Sequence, residues 1–180
     1  MPTCAEARPG TCPCCNAATR PVGGRLVVVG HGVVERQVRG PMSAAGRSET
    51  IVIQVRRYRC RACKAILVVG PLGLVHRRWY GAGAIALALD AYARGDTSVS
   101  IRHRVSPNAV VGVSARERWV TLVRWIEAAR DGQLFAVSDL GELARRRVAE
   151  HVVLALAGRA GRALGDDLGE AAFAGAAIAA

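Results

Sequence analysis

The sequence predicts an α+β protein, with an antiparallel β region over positions 1–70 and helices from there to the end. Three observations carry that expectation. β-Branched runs with partial alternation fall between positions 25 and 69. From Ala82 the apolar residues return at helical spacing. Two Cys-x-x-Cys pairs, Cys12-Pro13-Cys14-Cys15 and Cys60-Arg61-Ala62-Cys63, bracket the β region with 44 residues between them.

The cysteine spacing has a specific chemistry. Two residues between cysteines let both sulfurs converge on one ion, because the backbone folds into a tight knuckle. Four thiolates at about 2.3 Å then complete a closed tetrahedral site. Cys12, Cys15, Cys60 and Cys63 are the expected ligands of Zn2+, and residues 1–70 read as a zinc ribbon. Cys14 stands inside the first knuckle. It is either an unliganded neighbour or a replacement for Cys12 or Cys15, and the sequence leaves both open. A knuckle favours a residue tolerant of positive φ just after its second cysteine; Asn16 suits that place, Lys64 less so. Structural disulfides and a thiol redox motif compete with the metal. The first lacks an export signal, and the second lacks a helix after Cys15.

Taken in order, residues 1–11 read as a loose lead-in holding the unliganded thiol of Cys4. Arg25–Val29 is a strand that Gly30-His31-Gly32 interrupts, and Val33–Arg39 resumes it. Gly40–Glu49 reads as a loop. Thr50–Arg59 is the strand that delivers Cys60, and Ala65–Val69 leaves the second knuckle. So small a sheet has little core of its own, so metal ligation is expected to supply much of its folding free energy. Residues 71–80 form a linker that ends in a basic step, His76-Arg77-Arg78, before Trp79 and Tyr80.

Residues 81–130 read as a helical domain. An Ala-rich helix from Ala82 stops at Arg94-Gly95, glycine being the usual residue past a helix end. Asp96-Thr97-Ser98 offers caps for a short second helix, Val99–Val105, which Ser106-Pro107 ends. Asn108–Val113 reads as a loop. Ser114-Ala115-Arg116-Glu117 has capping-box spacing and opens a third helix, Ala115–Arg130. Three helices, the last one basic and well capped, have the layout of a helix-turn-helix domain. Residues 131–180 are a helical extension, with Leu140–Ala157 capped by Ser138 or Asp139 and an Ala-rich segment over Ala171–Ala180. Arg145-Arg146-Arg147 reads as a charge run circling that helix, either a solvated face or a phosphate contact.

Charge bounds the partners. The 25 basic and 14 acidic residues give +11, and Lys64 is the only lysine. From Asp131 onward five arginines meet seven acids, so residues 1–130 carry +13 and the remainder −2. A polyanion-binding surface therefore belongs to the part of the chain before Asp131. Apolar runs such as Leu26–Val29 and Ala65–Val69 are far short of the roughly 20 residues a membrane span needs. The expectation is an intracellular, cytoplasmic protein associated with the nucleoid and making no membrane contact. No paired-carboxylate, Ser/His/Asp or Gly-rich phosphate motif points to an enzyme.

Cys12, Cys15, Arg57-Tyr58-Arg59-Cys60, Cys63, Pro71-x-Gly73, Tyr92-Ala93-Arg94-Gly95, Arg102, Ser106-Pro107, Trp119 and Trp125 together carry a resemblance. Over roughly residues 10–130 the chain resembles the N-terminal region of bacterial insertion-sequence transposases and related short proteins, which pair a zinc ribbon with a helix-turn-helix. The resemblance implies binding of duplex DNA. It does not extend to a nuclease domain, since only 50 residues follow Arg130 and they read as helices.

The expected function is zinc-dependent DNA binding. Arg116, Arg118 and Thr121 would meet base edges or phosphates, with Arg124 on the same helix. Arg77, Arg78, Arg102 and Arg104 would meet the phosphate backbone. The competing expectation is an accessory subunit, such as a recombinase partner, that docks through residues 139–180 to a second copy or another protein.

Overall fold

Valine and isoleucine pack well on a pleated surface, and they recur along three strands, β1 (Val28–Pro41), β2 (Ser48–Cys60) and β3 (Ile66–Val69). The computed structural model describes residues 3–113, 118–161 and 167–179. In it the strands form one antiparallel sheet in the order β1-β2-β3, and five helices follow, as expected of an α+β chain. β2 and β3 pair with Arg57 opposite Val68 and Tyr58 opposite Leu67.

Two expectations for the sheet need correction. β1 begins at Val28, not Arg25, and it runs through Gly30-His31-Gly32 without interruption. Gly32 takes φ +94, so glycine absorbs the irregular backbone and pairing with β2 keeps the strand whole. The expected loop over Gly40–Glu49 shortens to 42–47, because β1 reaches Pro41 and β2 starts at Ser48.

The chain divides into two compact units, Met1–Gln37 with Val52–Pro71, and Val38–Ile51 with Leu72–Ala180. In the first, the core is small: Cys12, Val28, Tyr58, Cys60 and Leu67 are buried, with Cys4, Ala7, Val27 and Cys63 packed against them. The lead-in is anchored, not loose. The Tyr58 hydroxyl donates to the Cys4 carbonyl at 2.8 Å, and a Cβ on Gly30 would come within 2.8 Å of the Cys4 sulfur.

The second unit holds α1 (Ala82–Arg94), α2 (Ser98–Val105), α3 (Val120–Arg130), α4 (Arg145–Arg159) and α5 (Leu168–Ala179). α1 is buried from Ala82 to Ala91, and its small side chains let α4 and α5 pack close to it. Gly95 ends it at φ +108, with the Asp96 N–H returning to the Ala91 carbonyl at 3.0 Å. Thr97 caps α2, its hydroxyl accepting from the Ser100 N–H at 3.2 Å. One apolar cluster takes in residues from both sides of position 130, among them Leu122, Trp125, Val152, Leu156 and Ala176, together with Val75 and Tyr80.

Two helix starts differ from expectation. Arg118 and Trp119 are not helical, and α3 begins at Val120; the capping box of Ser114–Glu117 lies outside the described residues. Trp119 keeps an extended backbone (φ −75, ψ 95), and its ring packs edge-on against Tyr80 and Trp125 at 5.9 and 5.1 Å. α4 begins at Arg145, not Leu140, and neither Ser138 nor Asp139 caps it. Asp139 sits at φ +62, Leu140 is buried, and Arg130 donates to the Leu143 carbonyl at 2.9 Å, which together hold the approach non-helical. Arg145-Arg146-Arg147 therefore opens α4, at the end where the helix dipole disfavours cations. Each is engaged: Arg145 with Glu127 at 2.6 Å, Arg147 with Glu150 at 2.5 Å, and Arg146 over the Tyr92 ring at 5.6 Å.

Two positions in this unit give opposed tests. A Cβ on Gly175 of α5 would stand 1.8 Å from the Leu156 carbonyl oxygen of α4, whereas one on Gly158 meets nothing within 4 Å. Gly175→Ala should therefore cost about 3 kcal/mol by forcing two helix backbones apart. The same change at Gly158 should stabilise by about 0.5–1 kcal/mol through helix propensity. Chemical denaturation of both variants reads the sign. Asp90 gives a pH test. It is 2% exposed, burial raises its pKa, and Arg94 at 2.7 Å offsets this only in part. The folded chain thus holds this proton more tightly than the unfolded chain, so between the two pKa values stability falls as pH rises. Asp90→Asn should flatten that fall, measured as denaturation midpoints from about pH 4 to 7.

Candidate metal centre

Both knuckles are built from the same hydrogen bonds. In the first, the Cys12 N–H donates to the Ala17 carbonyl at 2.9 Å, and the Asn16 N–H returns to the Cys12 carbonyl at 2.8 Å. In the second, the Cys60 N–H donates to the Ala65 carbonyl at 2.9 Å and the Lys64 N–H to the Cys60 carbonyl at 2.9 Å. Asn16 (φ +57) and Lys64 (φ +66) take the same left-handed position. The knuckle imposes it even on lysine, whose ammonium donates to the Arg61 carbonyl at 2.8 Å. β2 and β3 carry the second knuckle. The first is closed by the antiparallel bridge of Thr11 with Ala18 and tied to the second by the Arg61 N–H on the Val27 carbonyl at 2.8 Å.

The four sulfurs of Cys12, Cys15, Cys60 and Cys63 lie within 4.8 Å of one another. Cys12 to Cys63 is 3.7 Å and Cys15 to Cys60 is 3.8 Å. A tetrahedron with 2.3 Å metal–sulfur bonds has edges of about 3.8 Å, so these distances are those of ligands around one small cation. None of the six cysteines forms a disulfide. Cys14 is exposed and outside the group, and so are His31 and His76.

Electrostatics favour a cation at the centre. The Ala17 N–H lowers the Cys15 thiol, but burial and the neighbouring thiols outweigh it and push Cys15 up to about 12. The Ala65 N–H holds Cys63 below the ordinary thiol range, and Cys14, hydrogen-bonded to Cys63, is raised. A divalent ion lets all four ionise together.

The residues expected to touch DNA all fall in the second unit. Arg77, Arg104, Arg118 and Arg124 are exposed, while Arg78, Arg102 and Thr121 are half-buried. Arg116 lies outside the described residues. Arg118 precedes α3 and is not on it. Cysteine spacing gives no hint of Tyr58 and Thr19, which brace the knuckles from beneath. Tyr58 is wholly buried, and the Thr19 hydroxyl donates to the Pro9 carbonyl at 2.5 Å. Alternation along β2, with Tyr58 and Cys60 on one face, is the signal that could have found the tyrosine.

No protein-family model, curated protein or solved structure matches the chain. Among the described residues no helix is long and apolar enough to cross a membrane.

Metal content tests the ligand set. Cys60→Ser should abolish stoichiometric metal and unfold the first unit, whereas Cys14→Ser should retain one ion per chain. Elemental analysis with circular dichroism distinguishes the two. Metal uptake should release protons and weaken as pH falls below about 7, because the ligands must ionise to bind.

Proposed function

We propose that the chain is a zinc-dependent DNA-binding protein. The carrying observation is the charge of the unit that holds the cysteines: nine basic residues against Glu6 and Glu35, a net +7 of the chain's +11. Four sulfurs at tetrahedral spacing suit zinc, which needs no redox partner and has no geometric demand beyond four ligands. Ligation by four thiolates subtracts two charges, so this unit would still carry about +5. Arg59, Arg61 and Lys64 are exposed around the second knuckle, and no ion pair among the described residues engages them or Arg57. Arg57 and Arg59 stand opposite the exposed Val68 and Ile66, so one face of the β2–β3 hairpin is basic and open. Duplex DNA is the partner that such a density of guanidinium fits, through phosphate contacts released by salt.

In the same reading α1, α2 and α3 act as a helix-turn-helix. Arg116, Arg118, Arg124 and Thr121 meet base edges or phosphates of the major groove. Arg77, Arg78, Arg102 and Arg104 meet phosphates. The accessory-subunit reading draws on apolar stripes of residues 139–180. α4 and α5 bury most of those stripes in their own core through Val148, Val152, Leu156, Ala172 and Ala176, and leave Leu154 and Ile178 exposed as the apolar side chains a partner would meet.

A titration of zinc-loaded protein with duplex DNA tests the proposal. Log affinity should fall linearly with log salt, at a slope near −0.9 for each phosphate neutralised. Replacing Arg57, Arg59 and Arg61 together by alanine should reduce that slope by about 2–3. Binding that ignores salt between 50 and 200 mM, values at which about 10³-fold is lost over six contacts, would overturn it.

A further inference from the structure

Apart from Asn16 and Lys64 in the knuckles, four non-glycine residues take positive φ among the described ones: Arg77 (+56), Phe135 (+66), Ala136 (+44) and Asp139 (+62). Arg77 and Phe135 line one cavity of about 410 Å3 in the second unit, and Ala136 adjoins it. Backbone held in sparsely populated regions tends to gather where a chain binds something, since only over-determined surroundings keep it there. Here the surroundings are visible. Leu134 and Phe135 are buried to 2% and 4% exposure, and the Arg159 guanidinium donates to the Phe135 and Ala136 carbonyls at 2.6 and 3.1 Å. On the opposite wall the Arg78 N–H closes a turn on the Val75 carbonyl at 3.3 Å. That turn puts Arg77 at its third position, where positive φ ordinarily calls for glycine or asparagine.

The cavity is chemically two-sided. Val75, Leu134 and Phe135 make an apolar floor, and His76, Arg77 and Arg78 supply every titratable side chain that lines it. The Gln133 amide, beside the floor, offers both a donor and an acceptor. Its size is within the range of small-ligand sites. A guanidinium fork matches phosphate geometry, an apolar floor takes a flat ring, and a side-chain amide can pair with the edge of a heterocycle.

We infer that this cavity binds one nucleotide unit, its phosphate on Arg77 and His76 and its ring over Leu134 and Phe135. The unit comes either from a free mononucleotide or from a single-stranded end of a nucleic acid; the second source rests on the DNA-binding reading above, the first does not. The strain at Arg77 is then the conformational cost of aiming a guanidinium where glycine would sit more easily.

The test uses the zinc-loaded full chain and its Arg77→Gly variant. Calorimetric titrations are run with adenosine monophosphate, inorganic phosphate, a blunt duplex, and the same duplex with a single-stranded overhang. For a free-nucleotide source, adenosine monophosphate should bind one per chain, more tightly than phosphate alone, and Arg77→Gly should weaken it about tenfold, the scale of one lost charge-assisted bond. For the nucleic-acid source, the variant should lose more affinity for the overhang duplex than for the blunt one, where Arg77 is one phosphate contact among several. In both cases the melting temperature should hold or rise, because glycine relieves the positive φ, and Arg77→Asn, which also accepts that backbone, should reproduce the loss. If adenosine monophosphate does not distinguish the variants from the parent, and the overhang duplex loses no more than the blunt one, the inference fails. If adenosine monophosphate binds and no duplex does, the DNA-binding reading fails and this one stands.

Discussion

Four sulfurs drawn to one point hold the first unit together. Its buried apolar residues number six among those described, two of them the cysteines themselves. At roughly 25 cal/mol per Å2, so few side chains cannot offset the backbone entropy of ordering more than fifty residues. A metal bound by thiolates contributes on the order of 10 kcal/mol or more to small domains of this kind. The buried Tyr58 and the anchored lead-in pack against the cysteines where the two knuckles meet. The second unit needs no such device, because ten consecutive residues of α1 are buried and α4 and α5 close over them.

What could be read in the sequence was what depends on short range. Two residues between cysteines specify a knuckle wherever the rest of the chain goes, so all four clustered sulfurs were legible, and Asn16 with them. Gly95 and Thr97 are likewise local signals, and both act at the helix ends where they stand. The failures arise where a distant partner decides. Gly30-His31-Gly32 has the composition of a break, yet pairing with β2 carries β1 through it. Arg118 and Trp119 continue a helical period, but Tyr80, which precedes α1, draws the Trp119 ring into an aromatic group that an extended backbone satisfies. Three arginines opening a helix run against its dipole. Glu127 on α3 and the Tyr92 ring on α1 make that start tolerable, and no window around Arg145 contains either of them.

The same contrast applies to the candidate sites. Cysteine ligands announce themselves by spacing. A basic face is legible as a count, but its place is not: the chain before Asp131 holds the charge, and its greatest density falls on the cysteine-bearing unit and not on the helices. The cavity beside Arg77 left no trace in composition or periodicity, since its two walls are more than fifty residues apart in the chain and its signature is a set of backbone angles.

The matched hydrogen bonding of the two knuckles has a consequence for assembly. Each turn is a ready-made two-toothed chelator whose shape owes nothing to the other. An arriving ion can be grasped by either pair alone, and the remaining step is the meeting of two preformed halves. Tethering them through 44 residues imposes a closure entropy of about 3 kcal/mol in a flexible chain. An ion held first by one pair would offset that closure cost once the other pair joins it.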